Sequence, residues 1–430
     1  MPRERLVVTG RVPAAPGAVW AVVRDFAAPW HPWIATMAEE RLTGGGMVRR
    51  FTVRDDPTVY RERLTYLSDT DRVLAYTHLQ GIEGVDRYAA RLSVAPAEGG
   101  GSSVLWSAEV SAGAGRLTAI CDGTRAVFEA GIAALAAAPE PPPPEPPPAL
   151  LRKRASLREA VLDGTPRLAL TLTPEAEGPL VLFLHGIGGG RDNWQPQLAA
   201  LSGRHRAAAL DLRGYGGSTL GFGPSTVDLY CEDILRVADH LGADRLVLVG
   251  LSYGAWLATS FAMRHGDLLA GLVLSGGCTG MSEAGPEERE AFRVSREVPL
   301  DAGRTPADFA PAVVEVIAGP NADADLRAAL LASMAAIPAA TYRDALNCFT
   351  NPLERFDFAR LDMPCLLMTG EHDRLAPPAE IRAVAGRILD AASLPDIRFE
   401  VLAGAGHVCN LGATEAYNRH LLAFLERVCA

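Results

Sequence analysis

The chain has 430 residues, of which 48% are hydrophobic and 21% charged, a composition typical of folded globular proteins and not of disordered chains. Its formal net charge is −10 at pH 7, so it lacks the basic excess that binding to a nucleic-acid backbone requires. A chain of this length exceeds one ordinary core, and we therefore expect two or three domains.

Residues 1–138 predict an α+β domain in which successive strands are closed by one long helix. Glycine, aspartate and proline clusters separate segments with strand or helix periodicity. The predicted order is a strand at 5–12, a helix at 16–26, strands at 48–53, 58–67, 73–79, 87–94 and 103–110, and a helix at 115–137. This order favours a curved antiparallel sheet packed around the final helix.

Residues 139–150 predict a linker. The segment 139–148 is PEPPPPEPPP, which cannot form a helix interior or the centre of a sheet. We expect an extended polyproline spacer of roughly 30 Å. The alternative is a docking motif for a partner that recognises proline-rich segments, but a spacer explains the composition without a partner.

Residues 151–430 alternate short apolar runs with helical patterns, which indicates a doubly wound, mostly parallel sheet. A leading hairpin at 157–162 and 168–172 precedes strands at 180–184, 207–210, 246–249, 272–274, 365–368 and 399–402. The long gap before the run at 365 contains helical patterns at 307–316, 324–334 and 342–349. We interpret residues of about 280–360 as a helical cap over the carboxyl edge of the sheet, where such sheets bind ligands.

Ser252 is the candidate nucleophile. It lies in Gly250-Leu251-Ser252-Tyr253-Gly254, between a buried strand and a helical pattern. A serine on a sharp strand-to-helix turn projects its hydroxyl above the sheet, and the two glycines leave room for that turn. The start of the following helix presents backbone N–H groups to a developing oxyanion.

His407 and Asp373 are the candidate base and acid. His407 lies in a loop between the last strand and the C-terminal helix, and Asp373 follows the strand at 365–368. The chain order Ser252, Asp373, His407 is the order expected for a triad on this architecture. We expect Glu371 and His372 to orient the loop without taking part in the chemistry.

Residues 151–430 resemble the α/β hydrolases of the large capped class. The matching segments are HGIGGG at 185–190, DLRGYGGS at 211–218, GLSYG at 250–254, GEHD at 370–373 and GHVCNLG at 406–412. The resemblance implies that Ser252, His407 and Asp373 form the triad and that the amides of Ile187 and Tyr253 form the oxyanion hole. His185 and the 211–218 turn would be structural. The layout is similar to that of 3-oxoadipate enol-lactonases and small-ester hydrolases, and a serine at 252 excludes the branches that use an aspartate nucleophile.

Residues 1–138 resemble the polyketide cyclase and lipid-transport superfamily, which has a helix-grip (SRPBCC) fold. The carrying segments include VWAVVRDF at 19–26, WHP at 30–32, RERL at 61–64 and WSA at 106–108. The resemblance implies an apolar cavity between sheet and helix. Seven residues are candidates for its lining, and the sequence leaves open for each a core or a surface position instead. These candidates are Tyr60, Glu62, Tyr66, Tyr76, His78, Tyr88 and Trp106.

The predicted function is hydrolysis of a carboxylic ester or lactone of a small apolar molecule through an acyl-enzyme, with a first domain that binds substrate or product. Two alternatives remain: hydrolysis of a carbon–carbon bond in ring-cleavage products, and a ligand-binding protein with a silent hydrolase fold. We expect no metal, no cofactor, no nucleic acid and no membrane as partners. With no signal-peptide pattern and no CxxC spacing, we expect a cytoplasmic protein without disulfides. The sequence leaves the oligomeric state open.

Overall fold

The computed structural model describes residues 2–42, 46–137, 157–174, 176–350 and 354–429. The chain divides into two compact units. The first contains the described residues up to 137, and the second contains most of those from 157 onward. The predicted linker lies outside the described residues.

The first unit is built mainly of strands. In chain order its elements are β1 (Arg3–Val12), α1 (Pro16–Val23), β2 (Ile34–Arg41), β3 (Met47–Val53), β4 (Asp56–Ser68), β5 (Val73–Gln80), β6 (Val85–Pro96), β7 (Ser102–Ala112) and α2 (Ala114–Ala137). Its described strands form one antiparallel sheet in the order β1-β7-β6-β5-β4-β3-β2.

The helix α2 packs on this sheet through a row of buried residues spaced three or four apart. The row consists of Leu117, Cys121, Thr124, Phe128, Ile132 and Leu135. The ring of Phe128 stacks on Trp106 of β7, with the ring centroids 4.3 Å apart. Gly131 allows the close approach, since a Cβ there would lie 2.7 Å from Trp106. The predicted antiparallel sheet with one long closing helix is confirmed.

The strand β2 is the element of this unit that the sequence pattern does not predict. Its burial alternates poorly, because β2 is an edge strand that pairs with β3. Periodicity identifies a strand only where one face is buried against a core. An edge strand with both faces partly exposed therefore carries little signal.

The second unit alternates strands and helices. In chain order the elements of the described chain from residue 157 onward are β8 (Arg158–Leu162), β9 (Leu168–Leu172), β10 (Leu180–Leu184), α3 (Gln195–Leu201), β11 (Ala207–Leu210), α4 (Val227–His240), β12 (Leu246–Leu251), α5 (Tyr253–His265), β13 (Leu269–Ser275), α6 (Pro286–Asp301), α7 (Pro306–Ile317), α8 (Ala324–Ala335), α9 (Ala339–Thr350), β14 (Cys365–Gly370), α10 (Pro378–Ala391), β15 (Ile397–Leu402), α11 (Cys409–Gly412) and α12 (Thr414–Val428).

The sheet of the second unit runs in the order β8-β9-β11-β10-β12-β13-β14. The strands from β11 to β14 are parallel, and β8 and β9 add an antiparallel hairpin at one edge. The central strands are buried along their whole length, which explains why they are continuous apolar runs. The doubly wound, mostly parallel sheet is thus confirmed.

The gap between β13 and β14 holds four helices of the described chain, α6 to α9. Helices α7, α8 and α9 match the helical patterns in the sequence. Helix α6 is not predicted, because it buries Leu300 alone and contains Pro299. Its sequence is rich in charged residues as well, so it looks like a charged surface loop.

The cysteines are free thiols and, apart from the half-buried Cys429, all are buried. Burial raises the pKa of the Cys231, Cys278 and Cys348 thiols to about 12. Among the described residues, no helix is long and apolar enough to cross a membrane.

Candidate active site

The candidate site lies at the carboxyl ends of the parallel strands. The loop at 185–190 follows β10, and Ser252 follows β12, which pairs directly with β10. Asp373 follows β14, and His407 lies beyond β15. Because carboxyl ends of parallel strands share one edge of a sheet, residues far apart in sequence meet there.

Ser252 has a left-handed backbone. Its φ is +55°, a value that a residue with a Cβ adopts at a cost of about 1–3 kcal/mol. Its amide donates to the carbonyl of Ser275 at the end of β13 (2.8 Å), and its carbonyl accepts the amides of Ala255 and Trp256 in α5. These bonds hold the strained turn between strand and helix, as the sequence pattern predicts.

Two glycines make this turn possible because neighbouring backbone leaves no room for a side chain. A Cβ on Gly250 would overlap the carbonyl oxygen of Gly254 and the backbone of Ala255. A Cβ on Gly254 would overlap the carbonyl oxygen of Leu184 in β10. The helix α5 can therefore begin directly against the sheet.

Asp373 and His407 form a buried pair. His407 Nδ1 lies 2.9 Å from Asp373 Oδ2 and 3.0 Å from Oδ1. The carboxylate also accepts the amides of Leu375 and Ala376, both at 2.9 Å. Burial favours the neutral acid, but the hydrogen bond and charge of His407 and the two amides outweigh it, so the pKa of Asp373 is lowered.

Glu371 and His372 join the two loops that carry this pair. The Glu371 carboxylate accepts the amide of Gly404 (2.9 Å), and the His372 amide donates to the carbonyl of Ala405 (2.9 Å). The His372 ring is itself exposed. Both residues therefore act on loop geometry, which matches the role that their sequence position suggests.

Ile187 and Tyr253 line the same cavity as Ser252. Tyr253 is the first residue of α5, so its amide has no intrahelical acceptor. In the described chain, no hydrogen bond is donated by the amide of Ile187 or Tyr253 to another protein group. Both donors are thus available to a ligand oxygen.

His185 serves the backbone and not the reaction centre. It is 1% exposed, its Nδ1 donates to the Gly186 carbonyl (2.8 Å), and its Nε2 accepts the Leu212 amide (3.1 Å). Burial lowers its pKa, which keeps the imidazole neutral. In the following turn, Asp211 accepts the amides of Arg191 and Gly217, both at 2.9 Å.

A cavity of about 220 Å³ connects these groups. Ser252 and His407 both line it, while Asp373 lies behind the imidazole and does not. Most of the remaining wall is apolar and comes from the cap and neighbouring loops: Met281, Phe292, Val313, Ile317, Leu330, Met334, Tyr342, Phe349 and Leu375.

Two charged side chains interrupt this wall, and the sequence pattern identifies neither. Arg296 comes from α6 and Glu380 from α10. Burial, reinforced by the carboxylates of Asp373, Glu283 and Glu288, raises the pKa of Glu380. Charged residues on surface helices normally face solvent, so only the folded chain reveals these two in the cavity.

The first unit encloses its own cavity of about 330 Å³ between sheet and helix. A buried ion pair, Arg49 Nε to Glu62 Oε2 at 2.7 Å, lies in its wall. The guanidinium is centred 4.4 Å from the Phe26 ring and 4.9 Å from the Tyr76 ring. The Tyr76 hydroxyl accepts the indole N–H of Trp106 at 3.1 Å.

Five of the seven residues suggested as lining do border this cavity: Tyr60, Glu62, Tyr76, Tyr88 and Trp106. Tyr66 and His78 do not border it, and for these two the alternative that the sequence left open holds. The pairing of β4 with β5 is irregular between Leu64 and Tyr66, so Tyr66 turns to the other face, where Arg91 lies over its ring. His78 instead accepts the Ile82 amide at 3.2 Å.

Among the described residues, no group of three or more histidine, cysteine, aspartate or glutamate side chains is arranged to hold a metal ion. The candidate site combines a serine, a histidine–aspartate pair and two backbone amides around one cavity.

Comparison with known families identifies both units. The model of the alpha/beta hydrolase fold family matches residues 179–413, more than half of the chain, and the chain belongs to this family of hydrolases. The model described as polyketide cyclase / dehydrase and lipid transport matches residues 3–140, and the first unit is a polyketide-cyclase-like domain. The resemblance of each part is confirmed.

Among solved structures, a thermophilic esterase from Thermogutta terrifontis is 26% identical with a TM-score of 0.55, covering 64% of this chain and all of that one. The enol-lactonase from Burkholderia xenovorans LB400 is 22% identical with a TM-score of 0.51, covering 63% of this chain and all of that one, and shares the fold.

Two curated relatives are similar in sequence. RutD of Caulobacter segnis, provisionally named a carbamate hydrolase, is 29% identical over 59% of this chain and 93% of that protein. Epoxide hydrolase 3 of Xenopus tropicalis is 35% identical over 26% of this chain, and this match spans only 31% of that protein.

Proposed function

We propose that the second unit hydrolyses a carboxylic ester or lactone through a triad of Ser252, His407 and Asp373. The observation that carries the proposal is the buried Asp373–His407 pair, with His407 lining the same cavity as the strained Ser252. A histidine whose Nδ1 is held by a carboxylate has only Nε2 left to act as a base.

In the proposed reaction, His407 removes the proton from the Ser252 hydroxyl as the oxygen attacks the carbonyl carbon. The carbonyl π electrons move to oxygen, where the amides of Ile187 and Tyr253 stabilise the negative charge. Collapse of this intermediate breaks the bond to the alcohol, which takes the proton from His407. Water then repeats the sequence on the acyl-enzyme and releases the acid.

Asp373 has two roles in this proposal. Its lowered pKa keeps it ionised, so it fixes the tautomer of His407 and stabilises the imidazolium that forms in each step. The amides of Leu375 and Ala376 fix the carboxylate in turn. These bonds orient the base before substrate binds, which favours rapid proton transfer.

The test is hydrolysis of a chromogenic short-chain ester by Ser252→Ala. We expect turnover to fall by at least about 10⁴-fold, because a triad nucleophile and its base act as a unit. Circular dichroism checks that the fold is retained. Undiminished turnover in this variant would show that another residue is the nucleophile.

The bond that is cleaved needs a separate experiment. The same triad could hydrolyse a carbon–carbon bond, and the similarity to RutD adds carbamates to the candidates. A panel of esters, lactones, carbamates and ring-cleavage diketones, with Ser252→Ala as the blank, separates these options. We expect esters or lactones to give the highest kcat/KM, as the similarity to the Thermogutta esterase supports.

We further propose that the first unit binds an apolar substrate or product. Its support is the aromatic cavity of about 330 Å³, large enough for a small organic molecule. Quenching of tryptophan fluorescence on ligand addition tests this, since Trp30, Trp33 and Trp106 border the cavity. Ligands that quench the fluorescence of the full chain equally after Trp30, Trp33 and Trp106 are all replaced by Phe would bind elsewhere.

A further inference from the structure

Arg296 is the cation in the wall of the catalytic cavity. It is half-buried on α6, and the rest of the cap's contribution to the wall is almost wholly apolar. Burial lowers its pKa, which means that the surroundings disfavour the charged guanidinium. A guanidinium in such surroundings needs a neighbouring anion to offset the cost of burying its charge.

The protein supplies no such counter-charge among its described residues. No ion pair of the described chain includes Arg296, whereas its helix neighbour Arg293 pairs with Glu290 and Glu297. The pKa of Glu380, the acid of the same cavity, is raised by burial and by the carboxylates of Asp373, Glu283 and Glu288. The ion pairs of the described chain do not join Glu380 to Arg296 either.

The donors of Arg296 are only partly used. Its Nη1 donates to the Phe292 carbonyl (3.0 Å) and to the Ser295 hydroxyl (3.1 Å), both on its own helix. Its guanidinium carbon lies 3.4 Å from the centroid of the Phe292 ring, and the Tyr342 hydroxyl is its other polar neighbour. A guanidinium has five N–H donors, so several remain for a ligand.

We propose that Arg296 binds an anionic group of the substrate and makes the enzyme specific for carboxylate-bearing esters or lactones. The proposal rests on the proposed function of the same site. Stacking on Phe292 fixes the guanidinium plane, and a fixed fork of N–H groups is suited to a carboxylate. The reacting carbonyl lies at Ser252, while the apolar wall contacts the carbon chain between the two groups.

Two matched pairs of esters test the proposal on either side of the reacting bond. The 4-nitrophenyl monoester of glutaric acid and 4-nitrophenyl pentanoate differ in a carboxylate on the acyl side. The pair 3-acetoxybenzoate and 3-tolyl acetate differ in a carboxylate on the alcohol side. We expect the wild-type enzyme to prefer the charged member of one pair by kcat/KM.

Arg296→Met should lower that charged-to-neutral ratio by at least about tenfold, as expected for losing hydrogen bonds to a charged group. The loss should be mainly in KM, because Arg296 binds substrate and does not touch the reacting bond. Arg296→Lys should restore part of the ratio, and the control Arg293→Met should leave it unchanged. An unchanged ratio in Arg296→Met for both pairs would overturn the proposal.

Calorimetry separates this proposal from the proposed function. If the wild type hydrolyses none of the four esters in a Ser252-dependent way, the proposed function fails.

The role of Arg296 is then still decided by calorimetry, which measures binding of the monomethyl glutarate anion and of 3-acetoxybenzoate to Ser252→Ala. If Ser252→Ala binds either anion and the double variant with Arg296→Met does not, the role of Arg296 is supported. If both variants bind the anions equally, or if neither binds them, the proposal is overturned.

Discussion

Asp373 illustrates how one residue can be stabilised as an anion inside a protein. It is 3% exposed, yet the imidazole and two backbone amides keep the pKa of its carboxyl group low. Ionisation is thus achieved by specific hydrogen bonds and not by solvent. The sequence predicts this partnership from chain order, but the supporting amides of Leu375 and Ala376 emerge only from the folded turn.

Asp373→Asn should therefore reduce kcat by about 10⁴-fold while leaving the shape of the site intact. An amide can donate to Nδ1 and stabilise the wrong tautomer of His407, so Nε2 no longer accepts the serine proton. Steady-state kinetics on the chromogenic ester measure the loss. As a control, Glu371→Gln should retain most of the activity, since an amide oxygen can still accept the Gly404 amide. If kcat is unchanged in Asp373→Asn, another residue is the acid of the triad.

His31 provides a pH-dependent prediction. Burial, helped by the Arg49 charge and opposed by the hydrogen bond from Nε2 to the Val127 carbonyl (3.0 Å), lowers its pKa. Its Nδ1 accepts the Trp33 amide, an interaction that a protonated ring cannot make. The pKa of His31 is thus lower in the folded chain than in the unfolded chain, where it is about 6.5. The stability that neutral His31 contributes is therefore complete above this unfolded pKa and is lost as the pH falls through the folded pKa.

Thermal unfolding at about pH 7.5 and pH 5.5 checks this, because the lower pH lies below the unfolded pKa of histidine. The wild type should lose more stability between the two values than His31→Gln, whose amide can still donate to Val127. Other buried histidines, such as His185, contribute equally to both proteins and cancel in the comparison. Equal losses would mean that His31 titrates normally.

At the scale of elements, the sequence predicts buried strands well and exposed segments poorly. The strands β10 and β11 have the predicted bounds, and every residue in them is buried. Helix α6 is missed because its sequence is rich in charged residues and contains Pro299, and strand β2 is missed because neither of its faces is buried. The consequence is functional, since α6 contributes Phe292 and Arg296 to the catalytic cavity.

The turn between β12 and α5 has no room for an added methyl group at Gly254. Gly254→Ala should destabilise the fold by several kcal/mol or abolish soluble expression, because the new Cβ overlaps backbone of β10 and not a movable side chain. Gly386→Ala is a matched control, since a Cβ at this helical glycine of α10 would contact nothing within 4 Å. Denaturant unfolding of both variants measures the difference, and equal stabilities would contradict the packing argument.

At the scale of the whole molecule, the chain joins a hydrolase to a domain with a cavity of its own. Family resemblance predicts both folds from sequence, because their motifs lie in turns and core positions that the folds require. The cavity walls are predicted less well, because a single irregular pairing turns Tyr66 away from its expected face. A side chain's face depends on register, which composition does not determine.

Deletion of residues 1–138 should test whether the first unit contributes to hydrolysis. We expect kcat/KM on a short water-soluble ester to stay within about twofold, but to fall for a long apolar ester if the first unit raises its local concentration. Circular dichroism checks that the shortened chain folds. The full chain with Glu62→Gln, which disturbs only the first cavity, is the control. Unchanged efficiency on the apolar ester in both variants would contradict a capture role.

The buried thiols determine how the enzyme responds to covalent reagents. Burial raises the pKa of the Cys278 and Cys348 thiols to about 12, so almost none of the reactive thiolate form is present at neutral pH. Iodoacetamide should therefore leave the folded enzyme active, whereas a fluorophosphonate should modify Ser252 and inactivate it. This contrast makes the chain suitable for activity-based labelling in a crude extract, where a tagged fluorophosphonate would report competition by candidate substrates before any product assay exists.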